Sequence, residues 1–190
     1  MAWTWPWAKR PGQENFAAER KQAGAFGFVA LHSQGEARWT RRDYAALALE
    51  GYMRNPVAHR AIRMIAEAAA AMPWIVYEGD IELDVHPLVD LLARPNQAQA
   101  GPTFMQTLYG HLLLSGNAYV ERVETETGAQ ELHLLRPDRV TVLTDTKGWP
   151  VALEHRAGDV RRRVSLEEGG RGLHLKLFHP IDDHYGFPPL

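Results

Sequence analysis

The stretch that decides the fold is Pro102–Leu143, PTFMQTLYGHLLLSGNAYVERVETETGAQELHLLRPDRVTVL. Its first part repeats apolar residues at the spacing of one helical face: Phe104, Leu108 and Leu112. Pro102 suits the first turn of a helix, because its missing N–H needs no partner there. Gly116 is placed to take the left-handed conformation that ends a helix. We therefore predict a buried helix that ends at Gly116, with Asn117 turning the chain outward.

The second part of this stretch has the residue composition of β-strands. AYVERV, LHLL and VTVL are short runs of strand-forming residues. Thr127-Gly128 predicts a hairpin tip, and the four residues Arg136-Pro137-Asp138-Arg139 predict a corner. The remaining chain is expected to pack on this helix-to-sheet unit or to extend it.

Composition limits the classes of function. The chain has 190 residues, a net charge of −2 and no cysteine. The charge gives no global basic field for nucleic acid, and the lack of cysteine excludes disulfides and thiolate metal sites. No run approaches the roughly 20 apolar residues of a membrane helix, and no signal-peptide core is present. We expect a protein without a membrane partner.

The chain divides at about residue 40. Residues 1–39 lack a sustained period and carry tryptophans at positions 3, 5 and 7, which predicts a flexible Trp-rich arm. These tryptophans, beside Lys9 and Arg10, suit either docking on a partner or membrane interface or a tail with no fixed role. Residues 40–190 form the second predicted domain.

Helices are expected to come first in that domain. Thr40 and Asp43 suit one helix start, and Asn55-Pro56 suits another. An ion pair is expected between Arg63 and Glu67 on the wet side of the second helix. This helix also carries an apolar stripe, made of Val57, Ala61, Met64, Ile65, Ala68 and Met72.

Strands are expected to dominate the rest of the domain. WIVYEG predicts a strand, and His86-Pro87 begins a short helix through Leu92. VALEHR, VRRRV and LHLKLF supply the later strands. The predicted fold class is α+β, with N-terminal helices packed on a mostly antiparallel β-meander.

The C-terminal run contains a candidate metal site. His179, Asp182 and His184 are competent ligands for Zn, Mn or Fe, and a hydrolase using them is one hypothesis. Their spacing matches no helical i,i+4 pair. Neighbouring Asp182 and Asp183 also suit a structural turn in which carboxylates accept backbone N–H bonds. No cofactor and no metal are expected on this second interpretation.

Arginines form the other candidate site. Arg136 and Arg139 flank the corner, and Arg161, Arg162 and Arg163 follow one another in a predicted strand. Arginine pairs well with phosphate, so a DNA-binding adaptor is a second hypothesis. Strand alternation, however, separates Arg162 from its two neighbours, which favours a solvated face or contacts between subunits. The chain has no phosphate loop, nucleophile elbow or dinucleotide fingerprint, so no enzyme activity is expected.

Several phrases of the chain, in order and spacing, resemble the portal proteins of tailed bacteriophages and of gene transfer agents. The phrases are NPVAHRAIRMIAEAAAAMPWIVYEG, HPLVDLLARPN, LLLSGNAYVER, LHLLRPDRVTV and HLKLFHPIDDHYGFPPL. The resemblance covers about residues 40–190 and implies a structural subunit with a portal wing-like domain. It also implies a ring, usually of twelve copies, at one vertex of the capsid.

The resemblance implies partners and a location as well. A portal ring passes double-stranded DNA during packaging and ejection, and it contacts the major capsid protein, the large terminase and a head-tail adaptor. It belongs to the virion and assembles in the bacterial cytoplasm. Proteins of this family continue after the Tyr185-Gly186 phrase into a stem and clip. We therefore expect 40–190 to be the wing-side portion, truncated before the stem and clip, with the hydrolase and the DNA-binding adaptor as competing interpretations.

Overall fold

The computed structural model describes residues 43–83 and 85–189. The predicted arm over 1–39 and the predicted helix start at Thr40 lie outside these residues. Asp43 is the observed N-cap of the first helix, because its Oδ1 accepts a hydrogen bond from the Ala46 N–H at 2.9 Å. Among the described residues, no helix is long and apolar enough to cross a membrane.

As predicted, the helices precede the two three-stranded sheets, but a β-hairpin separates the first two α-helices from the last two. Helix α1 (Tyr44–Ala46) continues directly into a π-helical segment, Leu47–Met53, that was not predicted from the sequence. Asn55 caps the second helix through its side chain, with Pro56 in the first turn. The bounds are α1 Tyr44–Ala46, α2 Pro56–Ala70, α3 Pro87–Ala93 and α4 Gly101–Ser115.

The strands form one hairpin and two three-stranded sheets, all antiparallel. The bounds are β1 Val76–Glu78, β2 Ile81–Leu83, β3 Asn117–Glu124, β4 Gln130–Leu135, β5 Val140–Thr144, β6 Pro150–Ala157, β7 Val160–Ser165 and β8 Gly172–Lys176. The first sheet has the order β4-β3-β8, and the second has the order β5-β6-β7. Strands β1 and β2 form the separate hairpin.

The α+β prediction is confirmed, but the strand order departs from a simple meander. The last strand, β8, does not join the second sheet. It pairs with β3 of the first sheet, where Ala118 is opposite Leu175 and Val120 is opposite Leu173. This pairing extends the apolar face that the first sheet turns toward α4. Burial of that face explains why β8 returns to a strand more than 50 positions earlier.

The core has two layers that share strand β3. Alternate side chains of a strand point to opposite faces. Tyr119 therefore packs with residues of the second sheet, whereas Ala118 and Val120 pack under α4. The inter-sheet cluster contains Tyr119, Leu135, Val140, Val142, Leu153 and Val164. The helix-to-sheet cluster contains Phe104, Met105, Leu108, Ala118 and Val120.

Helix α2 differs from the sequence-based expectation. Its buried residues are Ile62 and Ala66, on the side that packs against α4. Most of the predicted apolar stripe lies on the opposite side, where Val57 is 77 % exposed and Met64 is 52 % exposed. Met72 is the exception, because it follows the end of α2 and lines a cavity with residues of α3 and α4. A stripe predicts that a face is apolar but does not say which partner covers it. The predicted Arg63–Glu67 pair is present at 2.6 Å.

Candidate functional site

The junction between helix α4 and strand β3 is where the C-terminal segment docks. Gly116 has φ 74° and ψ −2°, which confirms the predicted left-handed helix end. Its N–H donates to the Leu112 carbonyl at 2.8 Å, and its own carbonyl accepts from the Leu177 N–H at 2.8 Å. A Cβ at Gly116 would lie 2.5 Å from the backbone of Gly186. The two glycines therefore permit a backbone-to-backbone contact that no side chain would allow.

Asn117 fixes this contact through its side-chain amide. Its Oδ1 accepts from the Gly186 N–H at 2.7 Å and faces His174 Nε2 at 3.0 Å. Its Nδ2 donates to the Ser115 carbonyl at 2.7 Å and to the Gly186 carbonyl at 3.3 Å. The expectation that Asn117 turns the chain outward was wrong. Asn117 is buried and starts β3, because its amide satisfies the polar backbone of two segments that meet there.

His174 completes the junction from strand β8. Its ring stacks on Tyr119 with 4.5 Å between ring centroids. Burial, with a smaller contribution from the charge of Lys176, lowers the pKa of His174 to about 4. A neutral imidazole at neutral pH suits a site where Nε2 faces an amide oxygen.

The segment after β8 forms the structured turn that the aspartates predict. Asp182 Oδ1 accepts from the N–H groups of His184 at 2.7 Å and Tyr185 at 2.9 Å. These two hydrogen bonds hold the pKa of Asp182 below its ordinary value. Asp183 is exposed, and its carbonyl accepts a hydrogen bond from Lys176 Nζ. The turn is thus built by backbone N–H groups that donate to the Asp182 carboxylate, whereas Asp183 takes part through its backbone carbonyl.

Tyr185 ties this turn to the second sheet. Its hydroxyl accepts a hydrogen bond from the Val142 N–H at 3.0 Å, and its ring packs on the inter-sheet core cluster. Residues 182–186 therefore contact α4, the first sheet and the second sheet. Sequence reasoning identified the turn but not this role of Tyr185, because only the fold brings residues 142 and 185 together.

The three candidate metal ligands do not converge. His179 Nδ1 accepts from the Ile181 N–H at 3.2 Å, and Asp182 already accepts two N–H bonds. His184 Nδ1 is buried and has no hydrogen-bond partner. Within residues 43–83 and 85–189, no group of three or more His, Asp or Glu side chains is placed to hold a metal ion. The hydrolase hypothesis thus finds no assembled site there.

The five candidate arginines fall into two groups. Arg162 contacts the buried carboxylate of Glu121 at 2.5 Å, which joins the two sheets. Arg136 holds Asp138 through two hydrogen bonds, at 2.8 and 2.5 Å, and these keep the pKa of Asp138 below its usual value. Both arginines have their partners within this chain.

All five arginines are exposed, and Arg139, Arg161 and Arg163 make up the second group. Arg161 lies 3.8 Å from Glu154, a separation that gives only a weak surface ion pair. Arg163 is opposite Glu154 in the register of β6 and β7, and Arg161 is opposite Arg156. The separation of Arg162 from its two neighbours, predicted from strand alternation, is confirmed. The five arginines therefore do not form one continuous surface.

Comparison with known proteins agrees with this fold. The family model for "Phage portal protein" matches residues 56–190. An uncharacterised protein of Rickettsia bellii is 31 % identical over 150 residues, which cover 76 % of this chain and 38 % of that protein. One from Rickettsia felis is 34 % identical over 148 residues, covering 74 % and 37 %.

Solved structures of gene transfer agent (GTA) particles are similar too. A chain in the neck of an empty GTA particle computed with C6 symmetry is 40 % identical, with a TM-score of 0.71, and the match covers 80 % of this chain and 42 % of that one. A chain in the neck of a native GTA particle computed with C12 symmetry is 38 % identical, with a TM-score of 0.67, covering 83 % and 41 %. The chain thus spans about two fifths of the length of the relatives it matches. It belongs to the phage portal protein family.

Proposed function

We propose that this chain serves as a structural subunit of a portal ring, at the capsid vertex of a phage or gene transfer agent. The observation that carries the proposal is its 38–40 % identity to chains of GTA particles, two of them from necks. Residues 40–190 form the wing-side domain in this proposal. The domain acts as a rigid structural element, and the subunit has no enzymatic activity of its own.

The interior of the domain suits such a role. A scaffold that carries load between neighbours needs elements whose relative positions are fixed. Asn117 and Gly186 join the helix end to the C-terminal segment, and Arg162 and Glu121 join the two sheets. These contacts link the end of α4, the two three-stranded sheets and the C-terminal segment, which suits the transmission of force from one sheet to the other.

The proposed ring implies the partners of this chain. We propose self-association into twelve copies, with the major capsid protein, a large terminase and a head-tail adaptor as neighbours, and double-stranded DNA passing through the channel. The location is the virion, after assembly in the cytoplasm of the host bacterium. A net charge of −2 suits a scaffold beside moving DNA, because dense phosphate contacts would hold the DNA in place.

A chimera tests the proposal. Residues 56–190 would replace the matching segment of the GTA neck protein, in a strain that lacks its own copy. We expect necks of twelve-fold symmetry and particles that contain DNA. The matched control is the same chimera with Gly116→Val, which should fail to assemble. A folded, soluble chimera that enters no particle, where the unmodified GTA protein does, would contradict the proposal.

A further inference from the structure

Helix α2 presents apolar side chains on two opposite faces. Ile62 and Ala66 are buried against the chain itself. The opposite face, here called the α2 ridge, consists of Val57, Ala61, Met64 and Ala68, all of them exposed. At 100° per residue these four positions fall within one narrow stripe. A helix held on one face by its own chain turns the ridge away from that chain.

The spacing of the ridge is that of a packing surface. Its members follow one another at intervals of four, three and four residues, which is the spacing of a heptad seam. Small Ala61 and Ala68 alternate with larger Val57 and Met64, so that the ridge offers both projections and gaps. The Arg63–Glu67 ion pair lies beside it, in the position of a polar rim.

A groove of complementary character is present on the same chain, and Trp74, which separates the ridge from the β1–β2 hairpin in sequence, lines part of it. It has a volume of about 700 Å³ and runs between α4 and the first sheet; we call it the α4–β8 groove. Leu173, on its wall, is 53 % exposed. The apolar lining includes Leu108, Leu112, Val120, Leu132, Leu173 and Leu175.

The charges beside the two surfaces are opposite in sign. Three cationic side chains line the groove and are exposed at its rim: Arg122, Arg171 and Lys176. The β1–β2 hairpin that follows the ridge carries three exposed carboxylates: Glu78, Asp80 and Glu82. Opposite potentials favour docking in one orientation and disfavour ridge-to-ridge contact between acidic hairpins.

We propose that the α2 ridge of one copy packs into the α4–β8 groove of the next copy, with the acidic hairpin against the basic rim. A cyclic ring needs two different, complementary surfaces on every subunit, and this pair meets that requirement. The inference rests on the proposed function and assigns its subunit contact to named residues. The ridge cannot enter the groove of its own chain, because Ile62 and Ala66 hold the other face of α2 in place.

Cysteine cross-linking tests the contact directly, since the chain has no cysteine of its own. Chains carrying Met64→Cys would be mixed with chains carrying Leu173→Cys and oxidised at high protein concentration. We expect a disulfide-linked heterodimer in at least ten-fold excess over the control mixture of Met64→Cys with Val160→Cys. Val160 is 67 % exposed on β7, outside the groove. Thermal melts would first show that each variant is folded.

Three outcomes would overturn the assignment. Efficient dimerisation of Met64→Cys alone would show ridge-to-ridge contact. Equal yields in the two mixtures would show collision without docking. Absence of the cross-link in the chimeric neck as well would assign the ridge to another part of the portal protein. Formation of twelve-fold necks without the cross-link would contradict this subunit contact but not the proposed function. Formation of the cross-link without necks would contradict the proposed function but not this contact.

Discussion

The N-terminal region, residues 43–93, and the helix-and-sheet region, residues 101–189, use their apolar side chains differently. Of the buried apolar residues in the described chain, three lie in the N-terminal region and 13 in the helix-and-sheet region. Of the large apolar residues that are exposed, 12 lie in the first and five in the second. Single exposed apolar residues are ordinary on a protein surface, but such a concentration marks an interaction site.

We infer from this difference that stability and association depend on different parts of the sequence. The helix-and-sheet region buries its apolar residues within one chain, so its substitutions should change the free energy of unfolding. The N-terminal region keeps many of its apolar residues at the surface, so substitutions there should change association instead. Substitutions in each region test this division.

Gly116→Val should produce the largest loss of stability. A β-branched residue resists the left-handed conformation, and its Cβ would meet the backbone of Gly186 at 2.5 Å. We expect a loss of about 3–5 kcal/mol, from strain and overpacking together, in chemical denaturation. The matched control is Gly128→Val, where φ is 81° but no atom lies within 4 Å of the new Cβ. Equal losses at the two positions would show that the close approach at Gly116 contributes nothing.

The helix end at Gly116 also shows what the sequence reveals about this fold. Local signals were sufficient for α4, for the hairpin tip at Gly128 and for the turn at Asp182, because each depends on residues close in the chain. The pairing of β8 with β3 was not predictable in the same way. Alternation identifies a strand but not its partner, and the partner here was selected by burial against α4.

The candidate site was predictable to a similar degree. Alternation along β7 separated Arg162 from its neighbours, but Glu121, its partner, lies 41 positions away. The stripe on α2 was recognised as apolar, yet its period could not show whether the same chain or another one covers it. The contacts that fix a site from distant parts of the chain are thus the ones that sequence reasoning missed.

Low pH should lower the stability of both regions. His111 contacts Tyr44 of the N-terminal region, and His174 stacks on Tyr119 within the helix-and-sheet region. Burial lowers the pKa of His111, which contacts Tyr44, and of His174 to about 4. Because the unfolded histidines titrate near 6.5, the unfolded state binds more protons between these values, and stability falls as pH falls from about 6.5 toward 4. We expect about 1–2 kcal/mol of loss for each at pH 4.5, since both are partly exposed.

Melting temperatures measured from pH 7 to pH 4.5 check this expectation. The double variant His111→Gln, His174→Gln should flatten the dependence, while the single variants show which region loosens first. A double variant that loses stability as steeply as the unmodified chain would assign the acid sensitivity to other groups.

Removing the link between the sheets should have a smaller effect. Arg162→Met leaves the carboxylate of Glu121, which is 4 % exposed, without its cation. We expect a loss of about 2 kcal/mol, below the cost of breaking a fully buried pair because Arg162 is itself half exposed. The double variant Arg162→Met, Glu121→Gln should recover part of this loss. A single variant as stable as the unmodified chain would show that the pair does not hold the sheets together.

The smallest effect on stability should come from the α2 ridge. Met64→Glu changes a residue that is 52 % exposed, and we expect the free energy of unfolding to change by less than about 0.5 kcal/mol.

Association should respond instead. The junction between two copies of this region is small, so we expect the unmodified chain to be a monomer or a loose oligomer at micromolar concentration, with no closed ring. Light scattering after size exclusion should show its mean mass rising with concentration, and the mass of the Met64→Glu variant staying at that of one copy. Val160→Glu, on the exposed part of β7, should associate like the unmodified chain. If Met64→Glu instead lowered stability as much as a core substitution while association was unchanged, the ridge would belong to the interior of the domain, and the division between the two regions would be wrong.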